Sequence, residues 1–509
     1  MKCMEAQAIS AEKTFSASFE RFLAMTATLQ AAPAMTMQLS ALEGLIEVDG
    51  REMLRTMLEE HIQLRGSGDI GSAVEGVDGV LRSHKRERGV DVKTIFGEIH
   101  IDRMIYGKPG VESLAPKAAI LNLPETSFSH ELARRLAHEA AKGAFSEATL
   151  AIKAQTGVTI QKRQGEEIAK AAAQDFESFY EERSTASLRR AAKDNEVLVL
   201  TTDGKGVVMR KEDLRPATRK KALRALKKLK RRLAKGEKRN AKRMAQVASV
   251  YSIERHERTA EDILAGSANK DAPKPPRPAA KRVWASLQQE PEDVVSQMFD
   301  EAQRRDPRQK RDWAILIDGQ NYQLDLIRAE LDERGIIATV VLDIIHVIEY
   351  LWKAARHFYV EGDARGEEWV NHYLAMVLDG KAKLAAAAMR RSATRQDKAG
   401  AKGIESCANY LHNNAERMHY DDYLARGLPI ATGVIEGACR HLVKDRMDLT
   451  GARWSLEGGE SVLKLRSIHA SGDWNEYWAF HEAQEYERNH RSHFARPERL
   501  ERPRLRVVK

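Results

Sequence analysis

Four acidic residues in this 509-residue chain have the types and spacing that metal chemistry on phosphodiesters requires. Asp203 follows the apolar run VLVLTT, Asp318 closes WAILID, and Asp343 closes IIATVVLD with His346 three residues later. Glu436 falls in the first turn of a helix expected to begin near Thr432, within LPIATGVIEGACRHLVKDRM. Carboxylates brought together from separate strands repel one another unless a cation sits between them. Mg²⁺ prefers oxygen ligands and keeps several waters. Two such ions ~3.5–4 Å apart stabilise both the attacking and the leaving oxygen of an in-line displacement.

Each residue also has a plainer reading. Asp-Gly is a strong hairpin signal, and Asp203-Gly204 with Gly206 suits a tight turn between VLVLTT and GVVMRK. Asp318-Gly319 is no hairpin, because a helical pattern follows it. Asp343 and His346 fit either an N-cap aspartate with an unrelated histidine or a metal-binding Asp-x-x-His. From spacing alone Asp318 and Asp343 both remain open as the second ligand, and strand order favours Asp318. Glu436 with Arg440 and Lys444 at i+4 and i+8 reads as a ligand followed by two phosphate-holding cations on one helix face. The plainer version is a Glu436–Arg440 surface pair. Gly433 and Gly437 lower helix propensity and predict the close approach of a backbone or a ligand.

The elements that must position these groups follow from the hydrophobic period. Three strands, then helix, strand, helix and strand make an α/β order with a mixed sheet, the ribonuclease-H-like arrangement. Residues 346–428 read as an all-α insertion, and 429–487 as the glutamate helix and the end of the catalytic domain. Ahead of this core (196–345), residues 1–85 are helical, and VKTIFGEIHIDRMIYGK within 86–195 is a β-hairpin centred near Gly97. Helices broken at Gly157 then predict a helix-turn-helix, with Gln161, Lys162, Arg163 and Gln164 opening the recognition helix. The N-terminal region is therefore expected to be a mostly α-helical DNA-binding region.

Residues 210–243 carry 17 Lys/Arg against three acidic residues. Leu223, Leu226, Leu229 and Leu233 recur there at helical steps, which predicts a basic amphipathic helix. Its Lys227, Lys228, Lys230, Arg231 and Arg232 are candidate phosphate contacts. The Pro-rich stretch 265–282 reads as a flexible loop, and the basic tail 488–509 as disordered. A formal net charge of +9 suggests a polyanionic partner. Three cysteines without CxxC argue against a disulfide framework. No export signal or apolar run of ~18 residues is present, which predicts a soluble intracellular protein with no membrane partner.

GEIHIDRMIYG, FESFYEER, LTTDGKGVVM, WAILIDGQNYQL, LDIIHVIEYLWKAARHFY, YLHNNAERMHYDDYLARGLPIATGVIEGACRHLVKDRM and GARWSLEGGESVLKLRS resemble the insertion-sequence transposases of the ISKra-four type, in the Mutator-like superfamily. The resemblance spans roughly residues 90–467. It implies an Asp-Asp-Glu triad of Asp203, Asp318 and Glu436 holding two Mg²⁺ ions, with Mn²⁺ as a substitute. It also implies Asp343 and His346 as accessory residues, and Arg440, Lys444, Arg446, Arg453 and Trp454 as DNA contacts. The implied activity is metal-dependent cleavage at transposon inverted-repeat ends, then 3′-OH strand transfer into double-stranded target DNA. A homodimer or larger assembly on DNA and a cytoplasmic, nucleoid-associated location go with it. The alternatives are a purely hydrolytic nuclease of the same fold and a non-catalytic, transposase-derived DNA-binding protein.

Overall fold

The computed structural model describes residues 14–183, 195–224, 229, 241–266, 274–394, 398–449 and 451–497. The chain forms two units, Met1–Phe179 with Asn475–Lys509, and Tyr180–Trp474. No helix among the described residues is long and apolar enough to cross a membrane.

The first unit opens with helices α1 (Ser16–Gln30) and α2 (Leu39–Leu64). Short strands β1 (Val74–Glu75) and β2 (Leu81–Arg82) precede β3 (His84–Thr94), β4 (Gly97–Lys108) and β5 (Val111–Leu114). The expected hairpin closes where Thr94 pairs with Gly97. Gly97 has φ 130°, a conformation that favours glycine. Alternation along β4 buries Ile99 and Ile101 against Val92 and Ile62, which joins the hairpin to α2.

Helices α3 (His130–Lys142), α4 (Phe145–Thr156) and α5 (Lys162–Ala171) pack on one another. Gly157 ends α4 in the left-handed region at φ 73°. Gln161 opens α5, and its N–H bonds Gln164 Oε1 at 3.0 Å. Gln161, Lys162, Arg163 and Gln164 are all exposed. The C-terminal residues belong to this unit as well. Residues 475–487 group with this unit and not with the α/β core, and Tyr477 donates to Ala172 O at 2.7 Å. The tail is ordered through its first residues, because Phe494 is buried with Val74, Tyr106 and Leu114.

The second unit is built on a five-stranded mixed sheet of β6 (Glu196–Val208), β7 (Lys242–Glu254), β8 (Ala279–Ser286), β9 (Trp313–Ile317) and β10 (Thr339–Leu342). Its strand order is β10-β9-β6-β7-β8. β6, β7 and β8 are antiparallel neighbours, while β9 and β10 run parallel to β6. Helices α6 (Pro291–Arg305) and α7 (Asn321–Arg334) form the connections to β9 and β10.

Two expectations fail here. The hairpin at Asp203-Gly204 does not exist, because β6 runs through it and pairs Asp203 with Val247 and Gly204 with Gln246. A two-residue type I′ turn needs φ > 0 at both central residues, and neither Gly204 nor Gly206 is among the positive-φ glycines. The third antiparallel strand is instead β8, whose first residues fall inside the expected Pro-rich loop 265–282. Its side chains from Arg282 to Ser286 are buried, so the sheet gains its fifth strand there.

Between β10 and Glu436 lies the expected helical insertion: α8 (Ile344–Ala355), α9 (Ala364–Leu378), α10 (Ala382–Ala393), α11 (Lys398–Asn414) and α12 (Tyr420–Ala425). Then come α13 (Gly433–Ala438), a π-helical turn over Cys439–Lys444, and α14 (Leu456–Ser471). Of the basic segment, Pro216–Arg224 is a helix with Leu223 exposed. Lys227, Lys228, Lys230, Arg231 and Arg232 lie outside the described residues.

Candidate functional site at the carboxyl edge of the sheet

Strand register sets the three aspartates in a row. The β6–β9 ladder ends with Thr201 opposite Leu316, and Asp203 and Asp318 each lie two residues further on. The β9–β10 ladder ends with Ile317 opposite Leu342, and Asp318 and Asp343 each come next. The Asp343 N–H bonds Ile317 O at 2.8 Å, which fixes that level. All three aspartates therefore stand just past the carboxyl ends of the parallel ladders, where open α/β sheets place ligands, although β6 itself runs on to Val208.

Each aspartate is held differently. Asp203 is half-buried where β6 changes from wholly buried residues to partly exposed ones. Its Oδ1 accepts the Gly204 N–H at 2.6 Å, and its Oδ2 accepts the Cys439 thiol at 3.1 Å. Asp318 accepts the Gln320 N–H at 3.0 Å and its side-chain amide at 2.8 Å. Gly319, at φ 90°, is hemmed in, since a Cβ there would meet Leu342 Cδ1 at 3.0 Å and Tyr410 Oη at 3.2 Å. Tyr410, from α11 in the insertion, stacks on Tyr350 at 3.9 Å and donates to Asp318 O at 3.2 Å.

Asp343 is fully buried and caps α8 through the Ile345 N–H at 2.9 Å. It also accepts from the Thr432 hydroxyl and from His346 Nδ1, the latter at 3.1 Å. The helix-cap reading of Asp343 is thus correct, and the metal reading also has support in the geometry. Ligand atoms of Asp343, His346 and Glu436 lie within 4.8 Å of one another. Asp203 and Asp318 are not part of that cluster. Partial burial, then the Asp343 carboxylate, raise the Glu436 pKa above its ordinary value. The hydrogen bond that His346 gives to Asp343 raises the pKa of His346. A bound cation would ease the repulsion among these carboxylates. The donor set of carboxylates and one imidazole therefore fits a divalent metal.

The helix face drawn from Glu436 through Arg440 and Lys444 is altered. The π turn spaces its hydrogen bonds at i→i+5 and breaks the four-residue stripe. Arg440, Lys444 and Arg453 are exposed, and among the described residues Glu436 makes no ion pair with Arg440. Gly433 and Gly437 have nothing within 4 Å of a built Cβ, so no backbone approach explains them. Arg446 and Trp454 are corrections. Arg446 is 3% exposed and its guanidinium stacks 4.7 Å from the Trp454 ring. The Trp454 indole N–H bonds Met447 O at 3.0 Å, and its backbone N–H bonds Val208 O beside β6. Both side chains are packed inside the protein and not on its surface.

Cys439, Thr432, Tyr410 and Gln320 were not singled out by sequence. Only Cys439, three residues past Glu436, gave any local signal. A second acidic cluster, Asp175, His481 and Glu485, lies in the first unit. Arg488 pairs with both of its carboxylates, so a cation there would meet a charge already neutralised. No family model matches the sequence, and no curated protein matches it.

Proposed function

We propose that the Tyr180–Trp474 unit is a ribonuclease-H-like catalytic domain and that the chain is a DNA transposase of the Asp-Asp-Glu type. The observation that carries this reading is the row of Asp203, Asp318 and Asp343 on adjacent strands, with Glu436 brought beside Asp343 and His346. The sheet order, with three antiparallel strands followed by two parallel ones, supports the fold assignment.

Asp203, Asp318 and Glu436 would hold Mg²⁺ or Mn²⁺, with Asp343 and His346 beside them. Bound cations supply Lewis acidity to the attacked phosphodiester and lower the pKa of water. The protein's own part is positional. Cys439 orients Asp203, Tyr410 and Gln320 fix the Asp318 turn, and Thr432 ties Asp343 to the glutamate helix. Arg440, Lys444 and Arg453 are exposed and suit the phosphate backbone. Water attack at a transposon end would leave a 3′-hydroxyl on that end and a 5′-phosphate on the flank; the hydroxyl would then attack a phosphodiester of target DNA and displace the 3′-oxygen of the target strand. No covalent protein intermediate is required. Lys162 and Arg163 open a helix suited to reading the ends. The basic excess supplies salt-sensitive affinity, and two ends call for at least a dimer on DNA in the cytoplasm.

The test is Asp203→Ala. It should abolish cleavage of an end substrate, with loss of at least about a hundredfold, while the same DNA is bound in a shift assay as by the wild type. Undiminished cutting by this variant would overturn the assignment.

A further inference from the structure

We propose that the α/β unit carries a separate phosphate-binding pocket at the edge of the sheet opposite the carboxylates. A cavity of about 380 Å³ opens where β6 begins. Its walls include Glu196 at the start of β6, Ser252 near the end of β7, Ala280 at the start of β8 and Arg311 just before β9. Volumes of this size hold small ligands.

The wall is cationic. Arg183, Lys281, Arg282, Arg305 and Arg311 line it against two lining carboxylates, Glu196 and Asp473. One of those carboxylates is already engaged, since Asp473 pairs with Arg183 at 2.8 Å and accepts from Tyr180 at 2.8 Å. Behind the wall, one carboxylate serves three guanidinium groups. Glu301 pairs with Arg282 and Arg305 at 2.6 Å and with Arg304 at 3.0 Å. Asp306 pairs with Arg311 at 3.6 Å, so among the described residues six cations stand against four carboxylates and positive charge is left over.

The cations are also held in place. The Arg282 side chain is 7% exposed, and its guanidinium sits 3.8 Å from the Tyr180 ring and 4.6 Å from the Trp284 ring. Arg305 donates to Val250 O and Ala280 O, and Arg311 to Ser252 Oγ at 2.9 Å and Arg305 O at 3.0 Å. Ala280 takes the left-handed conformation at φ 47° on the rim, a conformation costly for alanine and frequent at ligand sites. Fixed guanidinium groups lose little entropy on binding and match phosphate oxygens in pairs. Lys281 is exposed beside them.

The ligand chemistry is a phosphate group, from either a free phosphate compound or the 5′ end of a nucleic-acid strand. The pocket does not depend on the transposase reading. The experiment is calorimetric titration of the full chain in EDTA at matched ionic strength. The probes are pyrophosphate and a short single strand with or without a 5′-phosphate. Pyrophosphate is expected to bind with Kd below about 1 mM. Lys281→Ala and Arg311→Gln should each weaken it about tenfold, and Lys281→Ala should leave the ligand-free Tm unchanged. Pyrophosphate-competed binding of the phosphorylated strand alone identifies a strand end. Binding of pyrophosphate without the strand identifies a free compound. Either supports the pocket. Absence of phosphate binding, or wild-type affinity in both variants, overturns it.

Discussion

The Cys439 thiol donates a hydrogen bond to Asp203 Oδ2 at 3.1 Å, tying the π turn after Glu436 to the middle of the central strand. Two segments more than two hundred residues apart in sequence thus meet at one carboxylate. The Cys439 side chain is buried, so it sets the distance between the glutamate helix and β6 without itself facing solvent.

That contact predicts an inert thiol. Burial, and then the Asp203 charge, raise the Cys439 pKa far above its ordinary value, and burial pushes Cys407 up to about 12. Thiolates are the reacting form. Iodoacetamide near pH 7 should therefore label neither residue appreciably in the native chain and both after unfolding, read by peptide mass spectrometry. Native labelling of Cys439 at the unfolded rate would show that the contact with Asp203 does not hold.

The choice between Asp318 and Asp343 is open to direct measurement. The tight cluster is Asp343, His346 and Glu436, while the resemblance names Asp318. Asp343→Asn and Glu436→Gln should each lower Mn²⁺ affinity at least about tenfold. If Asp318 is also a ligand, Asp318→Asn should do the same, and with it EDTA should abolish cleavage. Wild-type Mn²⁺ affinity in Asp318→Asn would leave Asp343 as the second ligand.

His346 should report the same cluster through pH. Its pKa is raised above 6.5 chiefly by the Asp343 hydrogen bond. The protonated pair therefore adds stability that is complete below about 6.5 and disappears as pH rises through the folded value. An NMR titration should place the His346 midpoint above 6.5 in the wild type and lower it in Asp343→Asn. Because His346 must be neutral to bind metal, cation affinity should rise with pH across this window. A pH-independent affinity would remove His346 from the site.

Much of this arrangement was legible because it rests on local patterns. Period-two alternation gave the Gly97 hairpin, Gly157 marked the break between α4 and α5, and apolar runs ending in aspartate marked β9 and β10. Asp203-Gly204 was misread because a turn dipeptide says nothing of β7, whose Val247 pairs with Asp203 from more than forty residues away. β8 was obscured by the prolines and lysines preceding it. The contacts of Tyr410, Thr432 and Cys439 are tertiary and leave no periodic trace. The burial of Arg446 and Trp454 is equally invisible locally, because a stacked guanidinium and a DNA-binding one have the same sequence.

The buried Glu301 gives a stability prediction separate from the carboxyl edge. Burial alone would raise its pKa, but the charges of Arg282, Arg305 and Arg304 hold it at about 2. Its folded pKa is depressed, so the stabilisation is present above its unfolded value near 4.5 and is lost as pH falls toward 2. The shift corresponds to about 3 kcal/mol at neutral pH. Glu301→Gln leaves three guanidinium groups facing one another without their shared anion, and breaking such a buried pairing costs about 3–5 kcal/mol. Scanning calorimetry from pH 7 to 3 should show a much lower Tm for the variant at neutral pH. The gap from wild type should narrow below about pH 4 as Glu301 takes up its proton. A constant gap across that range would mean that the carboxylate contributes packing and not charge.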